Sequence, residues 1–187
     1  MSKCKVVIAH GSFGDTQENW IPYLRDNLTS LGCDVITPQF PIGETQNLES
    51  WIETFKNEIG ELDQNTILVG HSIAPAFILS LLANSNSKVK AIFLVSGFLH
   101  DLGVEEFDSV NHSFTHAEFD WEKIKSNFTF GHSFHGVDDP YVPLWMGEEL
   151  ATNLEIELTP IEKGGHLNIA AGFKEFPELL NKIKEMV

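Results

Sequence analysis

The sequence predicts an α/β protein, a three-layer α/β/α sandwich on a mostly parallel sheet of about six strands. Short apolar runs alternate with longer segments of helical periodicity, which is typical of consecutive βαβ units. The first run, Lys5–Ala9, is almost continuously apolar, as in a strand buried on both faces. The chain has 187 residues, of which 42% are hydrophobic, and this length and composition predict one domain over residues 1–187.

The first half of the chain contains four predicted strands, each recognised as a short apolar run. They are Lys5–Ala9, Asp34–Pro38, Thr66–Val69 and Ala91–Val95. Between these runs, apolar residues recur every three or four positions, the spacing that gathers them on one face of a helix. The helices predicted from this spacing are Asn19–Leu31, Leu48–Ile59 and Ile73–Ala83.

The second half opens with a segment that lacks clear periodicity. From Phe98 to about Glu118, histidine, phenylalanine, aspartate and serine are mixed, which predicts an irregular excursion compatible with a small lid. Regular patterns then return. The predicted strands are Phe128–Phe134 and Leu154–Leu158, and the predicted helices are Trp121–Lys125, Trp145–Thr152 and Lys174–Met186.

The charge balance excludes several classes of partner. Twelve Lys and Arg residues face twenty-seven Asp and Glu residues, which gives a formal net charge of −15. Such a surface repels phosphate backbones and anionic lipid, so we expect no nucleic-acid partner and no membrane-surface role. The amino-terminal apolar run is too short for a signal peptide, and no stretch approaches the ~20 apolar residues that cross a bilayer. We therefore expect a cytoplasmic protein.

The strongest local motif is Gly70-His71-Ser72-Ile73-Ala74, between a predicted strand and a predicted helix. A sharp strand-to-helix turn exposes a serine hydroxyl beside a base and near oxyanion donors, and small flanking residues let the neighbouring chain pack closely. Ala74 stands where the commoner motif has a second glycine, and alanine is small enough to keep the turn. Ser72 could alternatively serve only as a helix cap.

Two later motifs supply the groups that a serine nucleophile needs. The sequence GVDDPYVP (136–143) follows the fifth predicted strand, and GGH (164–166) follows the sixth. Counting back from the Val-Pro pair selects Asp139 rather than Asp138 as the carboxylate that orients His166. The order Ser72, Asp139, His166 is the one expected for an α/β-hydrolase fold. Each residue alone could be an ordinary turn or loop residue, but the ordered set predicts a catalytic triad.

The glycine-rich loop HGSFG (10–14) follows the first strand and can offer an oxyanion N–H group. Together with the backbone N–H of Ile73, we expect Ser12 to fill this role, with Phe13 as the less favoured choice. A complete G-x-G-x-x-G pattern is absent, which argues against a dinucleotide site. Candidates to line a substrate pocket are Phe13, His71 and Trp145, with Phe98 and Phe114 as further possibilities, although aromatic residues beside a sheet are more often core.

These motifs resemble α/β-hydrolases of the retinoblastoma-binding protein nine type, a family of small serine hydrolases. The resemblance covers most of the chain. It is carried by Gly14-Asp15, Ile67–Ser72, Ala91–Ser96, Trp121–Lys125, Asp138-Asp139-Pro140 and Gly165-His166. It implies catalytic roles for Ser72, Asp139 and His166. The family's L-x-C-x-E motif is missing, since LGCDV (31–35) ends in valine, so pocket-protein binding is not supported.

The sequence therefore predicts a carboxylesterase-like serine hydrolase that cleaves small acyl esters through an acyl-enzyme and needs no cofactor or metal. Thioesterase, peptidase or amidase activity would use the same triad, and an interaction protein on the same fold would use none of it. A metal enzyme is a third alternative, because the pairs His112/His116 and His132/His135 have spacings that could ligate a metal. No H-E-x-x-H motif or cysteine cluster accompanies these pairs.

Overall fold

Six parallel strands form one open sheet with helices on both faces, as the computed structural model of residues 4–187 shows. The strands are β1 (Lys5–Ala9), β2 (Asp34–Ile36), β3 (Thr66–His71), β4 (Val89–Val95), β5 (Phe128–Gly136) and β6 (Glu157–Ile161). Their spatial order is β2-β1-β3-β4-β5-β6, and every neighbouring pair is parallel. The predicted fold class is confirmed.

Seven α-helices are distributed over the two faces of this sheet in the part of the chain that the structure describes. They are α1 (Ile21–Ser30), α2 (Leu48–Glu58), α3 (Ala74–Asn84), α4 (Glu105–Thr115), α5 (Trp121–Ser126), α6 (Leu144–Leu154) and α7 (Pro177–Lys184). Helices α1 and α7 contribute to one hydrophobic layer, and α2 to α6 contribute to the other. No helix within residues 4–187 has the length and apolar character that a bilayer span requires.

The continuous apolar character of the strands follows from burial on both faces. In β1, Val6 and Ile8 pack in the layer beneath α1 and α7, whereas Val7 and Ala9 pack in the opposite layer. Successive side chains of a strand point to opposite faces, so a strand covered on both sides needs an apolar residue at every position.

The strand order reverses direction between β1 and β3. The chain leaves β1 toward β2 on one side and returns to form β3 on the other side. At such a switch point, the loops that follow the two strands diverge and leave a crevice at the carboxyl edge of the sheet. The glycine-rich loop 10–14 and the turn at Ser72 both lie at this edge, because they follow β1 and β3.

The prediction of an irregular excursion over residues 98–118 is wrong in its centre, where α4 forms a helix of eleven residues. Its buried residues are Phe114 and the polar Asn111, so the face that packs inward lacks the apolar stripe that would have marked it. Element ends differ elsewhere. Leu154 closes α6 instead of opening β6, and α7 begins at Pro177, a residue type favoured in the first turn of a helix.

Candidate active site

Ser72 occupies a strained turn between the end of β3 and the start of α3. Its φ angle of 64° lies in the left-handed region, which is uncommon for a residue other than glycine. The backbone N–H of Ser72 donates to the carbonyl of Val95 at 2.9 Å, which ties the turn to β4. A Cβ atom on Gly70 would lie 2.8 Å from Cδ1 of Ile78 and 3.0 Å from backbone atoms of Ala74 and Pro75, so a larger residue there would force this close packing to shift. Local packing thus fixes the serine at the sheet edge.

A chain of hydrogen bonds connects Ser72 with His166 and Asp139. Nε2 of His166 lies 3.1 Å from Oγ of Ser72, and Nδ1 lies 2.7 Å from Oδ2 of Asp139. Because the Asp139 carboxylate accepts, Nδ1 carries the proton, and Nε2 is left to accept from the serine hydroxyl. The structure therefore brings these three residues together in the predicted order.

The carboxylate of Asp139 is completely buried and held by its own loop. Its Oδ1 accepts from the backbone N–H of Tyr141 at 2.9 Å and from that of Val142 at 3.0 Å. Burial raises the pKa of Asp139, but hydrogen bonds from His166 and the two N–H groups, with the charge on His166, bring the pKa below its ordinary value. Asp139 is therefore maintained as an anion facing the imidazole.

The neighbouring Asp138 makes a different contact. Its Oδ1 accepts from the backbone N–H of Gly165 at 2.9 Å, one residue before the histidine. Of the two consecutive aspartates, Asp139 thus contacts the side chain of His166, and Asp138 contacts the backbone next to it.

His71 lies beneath the imidazole of His166. Its Nε2 donates to the carbonyl of His166 at 2.9 Å, and the two ring centroids are 4.9 Å apart. Burial, together with the charge of His166, lowers the pKa of His71 to about 3. A histidine held neutral in this way acts as a fixed hydrogen-bond donor.

The glycine-rich loop after β1 approaches Ser72 closely. A Cβ atom on Gly11 would lie 2.8 Å from Cβ of Ser72, so only glycine allows this approach. Within residues 4–187, the backbone N–H groups of Ser12, Phe13 and Ile73 have no hydrogen-bond acceptor. All three N–H groups are therefore unpaired, and Ser12 and Phe13 line the same cavity as Ser72.

A cavity of about 300 Å³ opens beside the serine hydroxyl. One set of its lining residues is apolar and another is polar. The apolar set is Phe13, Phe98, Leu102, Phe107, Tyr141, Val142 and Ile169, and the polar set includes Ser12, Glu18, Asn19, His71, Asn111 and Asn168. Ser72 and His166 also line it, so the hydrogen-bonded chain faces a space large enough for a small organic molecule.

Comparison with known proteins identifies the family to which the chain belongs. The model of the serine hydrolase family matches residues 6–185. The chain belongs to the serine hydrolase family. The resemblance seen in the sequence motifs is thereby confirmed.

Two relatives of this serine hydrolase match over nearly their whole length. Serine hydrolase RBBP9 of Rattus norvegicus is 29% identical over 189 residues, covering 100% of this chain and 97% of the rat protein. The YdeN protein of Bacillus subtilis (strain 168) is 29% identical over 175 residues, covering 92% of this chain and 90% of YdeN. Both relatives thus match at least 92% of the chain rather than one local motif.

Solved structures agree with this placement. The crystal structure of the ydeN gene product from B. subtilis has a TM-score of 0.91 at 27% identity, covering 99% of this chain and 98% of that one. Est1E from Butyrivibrio proteoclasticus, solved with ferulic acid bound, has a TM-score of 0.70 at 15% identity, covering 97% and 90% of the two chains. The second likeness is one of fold alone.

Two predicted pocket residues of this serine hydrolase lie elsewhere. Trp145 is outside the cavity lining; its half-exposed side chain lies 5.4 Å, between ring centroids, from His100. Phe114 is fully buried and packs against Trp51 at 5.0 Å. Phe13, Phe98 and His71 do line the cavity.

The histidine pairs considered as metal ligands are arranged differently from a metal site. The rings of His112 and His116 stack on the outside of α4 with centroids 4.0 Å apart. His132 and His135 are three positions apart on β5, so their side chains point to opposite faces of the sheet. Throughout residues 4–187, no group of three or more His, Cys, Asp or Glu side chains is placed to hold a metal ion.

Sequence reasoning missed the polar residues that support the glycine-rich loop. The hydroxyl of Ser12 donates to Oδ1 of Asn111 at 2.6 Å, and Nε2 of Gln46 donates to both, at 3.0 Å and 2.8 Å. Gln46 and Asn111 are almost completely buried. These residues lie far apart in the sequence, and no local motif marks them.

Proposed function

We propose that this serine hydrolase cleaves small acyl esters, with Ser72 as nucleophile, His166 as general base and Asp139 as the group that orients the imidazole. The observation that carries the proposal is the continuous path from Oγ of Ser72 to Nε2 of His166, at 3.1 Å, and from Nδ1 to Asp139, at 2.7 Å. The Ser72 end of this path lies in the wall of a cavity of about 300 Å³. An activated hydroxyl beside a small cavity is what acyl transfer requires.

The reaction begins when the hydroxyl of Ser72 attacks the acyl carbonyl and His166 takes its proton. Asp139 stabilises the imidazolium and holds its tautomer. The imidazolium then protonates the leaving alkoxide, which leaves an acyl-enzyme on Ser72. Water activated by His166 attacks this ester and releases the carboxylic acid, restoring the serine hydroxyl.

The oxyanion formed in both steps is stabilised by backbone N–H groups. Ile73 stands at the amino terminus of α3, where the helix dipole favours negative charge. Its unpaired N–H supplies one donor, and the unpaired N–H of Ser12 supplies the second. Each donor that is aimed at the oxyanion contributes about 3 kcal/mol to the stabilisation of the transition state.

The cavity favours a short acyl chain. Its volume of about 300 Å³ is at the lower end of the range for small-molecule sites, about 300–1,000 Å³. Phe98, Leu102 and Val142 form an apolar wall beside the serine, which suits an alkyl or aryl acyl group.

The proposal is tested by hydrolysis of p-nitrophenyl acetate, butyrate and dodecanoate. We expect turnover of the two short esters, a much lower rate on the dodecanoate, and loss of turnover in Ser72→Ala. The control is Ser80→Ala, which removes a buried hydroxyl that donates to the carbonyl of Ala76 within α3 and does not touch the cavity. Equal rates in wild type and Ser72→Ala would overturn the proposal.

A further inference from the structure

We propose that Trp20 and Asn19 are positioning residues that, with His71, fix the loop carrying His166. This inference rests on the proposed role of His166 as general base. The side chains of Asn19, Trp20 and His71 form hydrogen bonds to the backbone of residues 166–169, and we call this set of three side chains the clamp. The clamp comes from the segment before α1 and from the end of β3, both distant in sequence from the loop.

The three side chains bond to the backbone of this loop almost residue by residue. Nε2 of His71 donates to the carbonyl of His166 at 2.9 Å, and Nε1 of Trp20 donates to the carbonyl of Leu167 at 2.9 Å. Oδ1 of Asn19 accepts from the N–H of Ile169 at 2.8 Å. With Asp138 bonded to the N–H before His166, the backbone is held on both sides of the imidazole.

The conformation of the loop explains why it needs to be held. Gly165 and Leu167, on either side of His166, both have a φ angle of 48°. Leucine adopts this left-handed region only when its surroundings impose it. The loop also follows the end of β6 and precedes a short 3₁₀ turn, so no strand ladder or α-helix fixes it. The clamp supplies the constraint that secondary structure does not.

The indole of Trp20 has a role beyond filling the core. It is fully buried, and its ring lies edge-on to His71 with centroids 5.8 Å apart. An apolar side chain could fill this volume, but only the indole offers an N–H to the carbonyl of Leu167. Two of the three clamp residues therefore also contact each other, which couples their positions and hence the placement of the imidazole.

Trp51 provides a matched control for Trp20. It is also fully buried, and its Nε1 donates to the carbonyl of Pro41 at 2.8 Å, in the hydrophobic layer on the other face of the sheet. Trp20→Phe and Trp51→Phe thus remove the same N–H group and nearly the same volume. Only the first substitution removes a contact to the loop of His166.

The test compares the steady-state kinetics of the two variants on p-nitrophenyl butyrate. We expect Trp20→Phe to lower kcat by about tenfold or more with KM within about twofold of wild type, since small misplacements of catalytic groups cost rate. Trp51→Phe should retain kcat within about twofold at a similar loss of thermal stability. In proton NMR, the low-field signal of the Nδ1–H between His166 and Asp139 should shift or broaden in Trp20→Phe and persist in Trp51→Phe.

A second pair of variants serves if Trp20→Phe does not fold. Asn19 has a φ angle of 53°, which both glycine and aspartate tolerate. Asn19→Gly removes the acceptor for Ile169 and should lower kcat, whereas Asn19→Asp keeps an oxygen there and should retain a higher kcat than Asn19→Gly, because a retained hydrogen bond keeps the geometry.

The outcomes separate this inference from the proposed function. Wild-type kcat and an unchanged low-field signal in Trp20→Phe, or equal kcat in Asn19→Gly and Asn19→Asp, would overturn the clamp while Ser72-dependent turnover stands. Absence of Ser72-dependent turnover in the wild type would instead remove the proposed function on which the clamp rests.

Discussion

The hydroxyl of Ser12 donates a hydrogen bond of 2.6 Å to Oδ1 of Asn111, across 99 positions of sequence. This bond joins the glycine-rich loop after β1 to helix α4. Gln46 closes a triangle by donating to both partners. The helix that covers this part of the cavity is therefore tied to the loop that we propose to bind the oxyanion.

Replacing Asn111 should weaken catalysis through that loop. Asn111→Leu removes the acceptor of Ser12 and leaves the amide of Gln46 short of a partner in a buried site, and such a loss costs about 1–3 kcal/mol of stability. We expect kcat on p-nitrophenyl butyrate to fall about tenfold, because a shifted donor stabilises the oxyanion less well.

The control for this substitution is Asn127→Leu. Asn127 is also buried, and its Nδ2 donates to the carbonyls of Leu82 and Ser85 at the opposite end of the sheet. It should lower thermal stability without a comparable loss of kcat. Similar kcat values in the two variants would show that Asn111 has no role in the site beyond packing.

The two aspartates should respond very differently to amide substitution. Asp139→Asn removes the charge that orients and stabilises the imidazolium, and we expect kcat to fall by about 10³–10⁴. Asp138→Asn keeps an oxygen that can accept from the N–H of Gly165, so the loss should stay within about tenfold. The rates of ester hydrolysis by the two variants at neutral pH measure these losses. A larger loss in Asp138→Asn than in Asp139→Asn would contradict the assignment of Asp139 as the residue that orients His166.

Acid should destabilise the fold through its buried histidines. Burial lowers the pKa of His10, His71, His132 and His135 below the ordinary 6.5. Below pH 6.5 the unfolded chain therefore binds more protons than the folded chain, and the free energy of unfolding falls as pH is lowered toward the folded-state values. Each such histidine contributes up to about 1.4 kcal/mol per pH unit in that window.

Urea unfolding at pH 7, 6, 5 and 4 measures this dependence. His135→Gln should show a shallower decline, because glutamine can donate to the carbonyl of Val142, as Nε2 of His135 does at 2.9 Å, but does not titrate. The lowered pKa of Asp139 acts in the same direction only below pH 3.8, where the unfolded carboxylate takes up a proton first. A stability that is constant from pH 7 to pH 4 would contradict the account.

The strands could be predicted because the apolar character of each strand is visible in a short stretch of sequence. A strand covered on both faces must be apolar along its buried length, and β1 shows this in the four consecutive positions from Val6 to Ala9. Helix α4 was not predicted because its buried face includes the polar Asn111. The hydrogen-bond partners of Asn111, which are Ser12 and Gln46, are distant in sequence and are brought close to it only by the fold. Hydrophobic periodicity does not identify a buried polar residue whose hydrogen-bond partners lie far away in the sequence.

The same distinction applies to the site. Ser72, Asp139 and His166 could be selected in advance because each follows a strand at the carboxyl edge of the sheet, within a short motif of its own. Their roles remain predictions until activity is measured. Trp20 and Asn19 could not be selected, because their bonds to the loop of His166 span about 150 positions and depend on tertiary packing. Long-range hydrogen bonds of this kind produce no local sequence motif by which they could be predicted.

The most direct test of the central claim is covalent labelling of Ser72. The purified protein is treated with a fluorophosphonate probe, and the adduct is located by mass spectrometry of its peptides. We expect one probe molecule per chain, attached to the peptide that contains Ser72, with labelling retained in Ser80→Ala and lost in Ser72→Ala. Equal labelling of wild type and Ser72→Ala, or no labelling of the folded wild type, would contradict the assignment of Ser72 as an activated nucleophile.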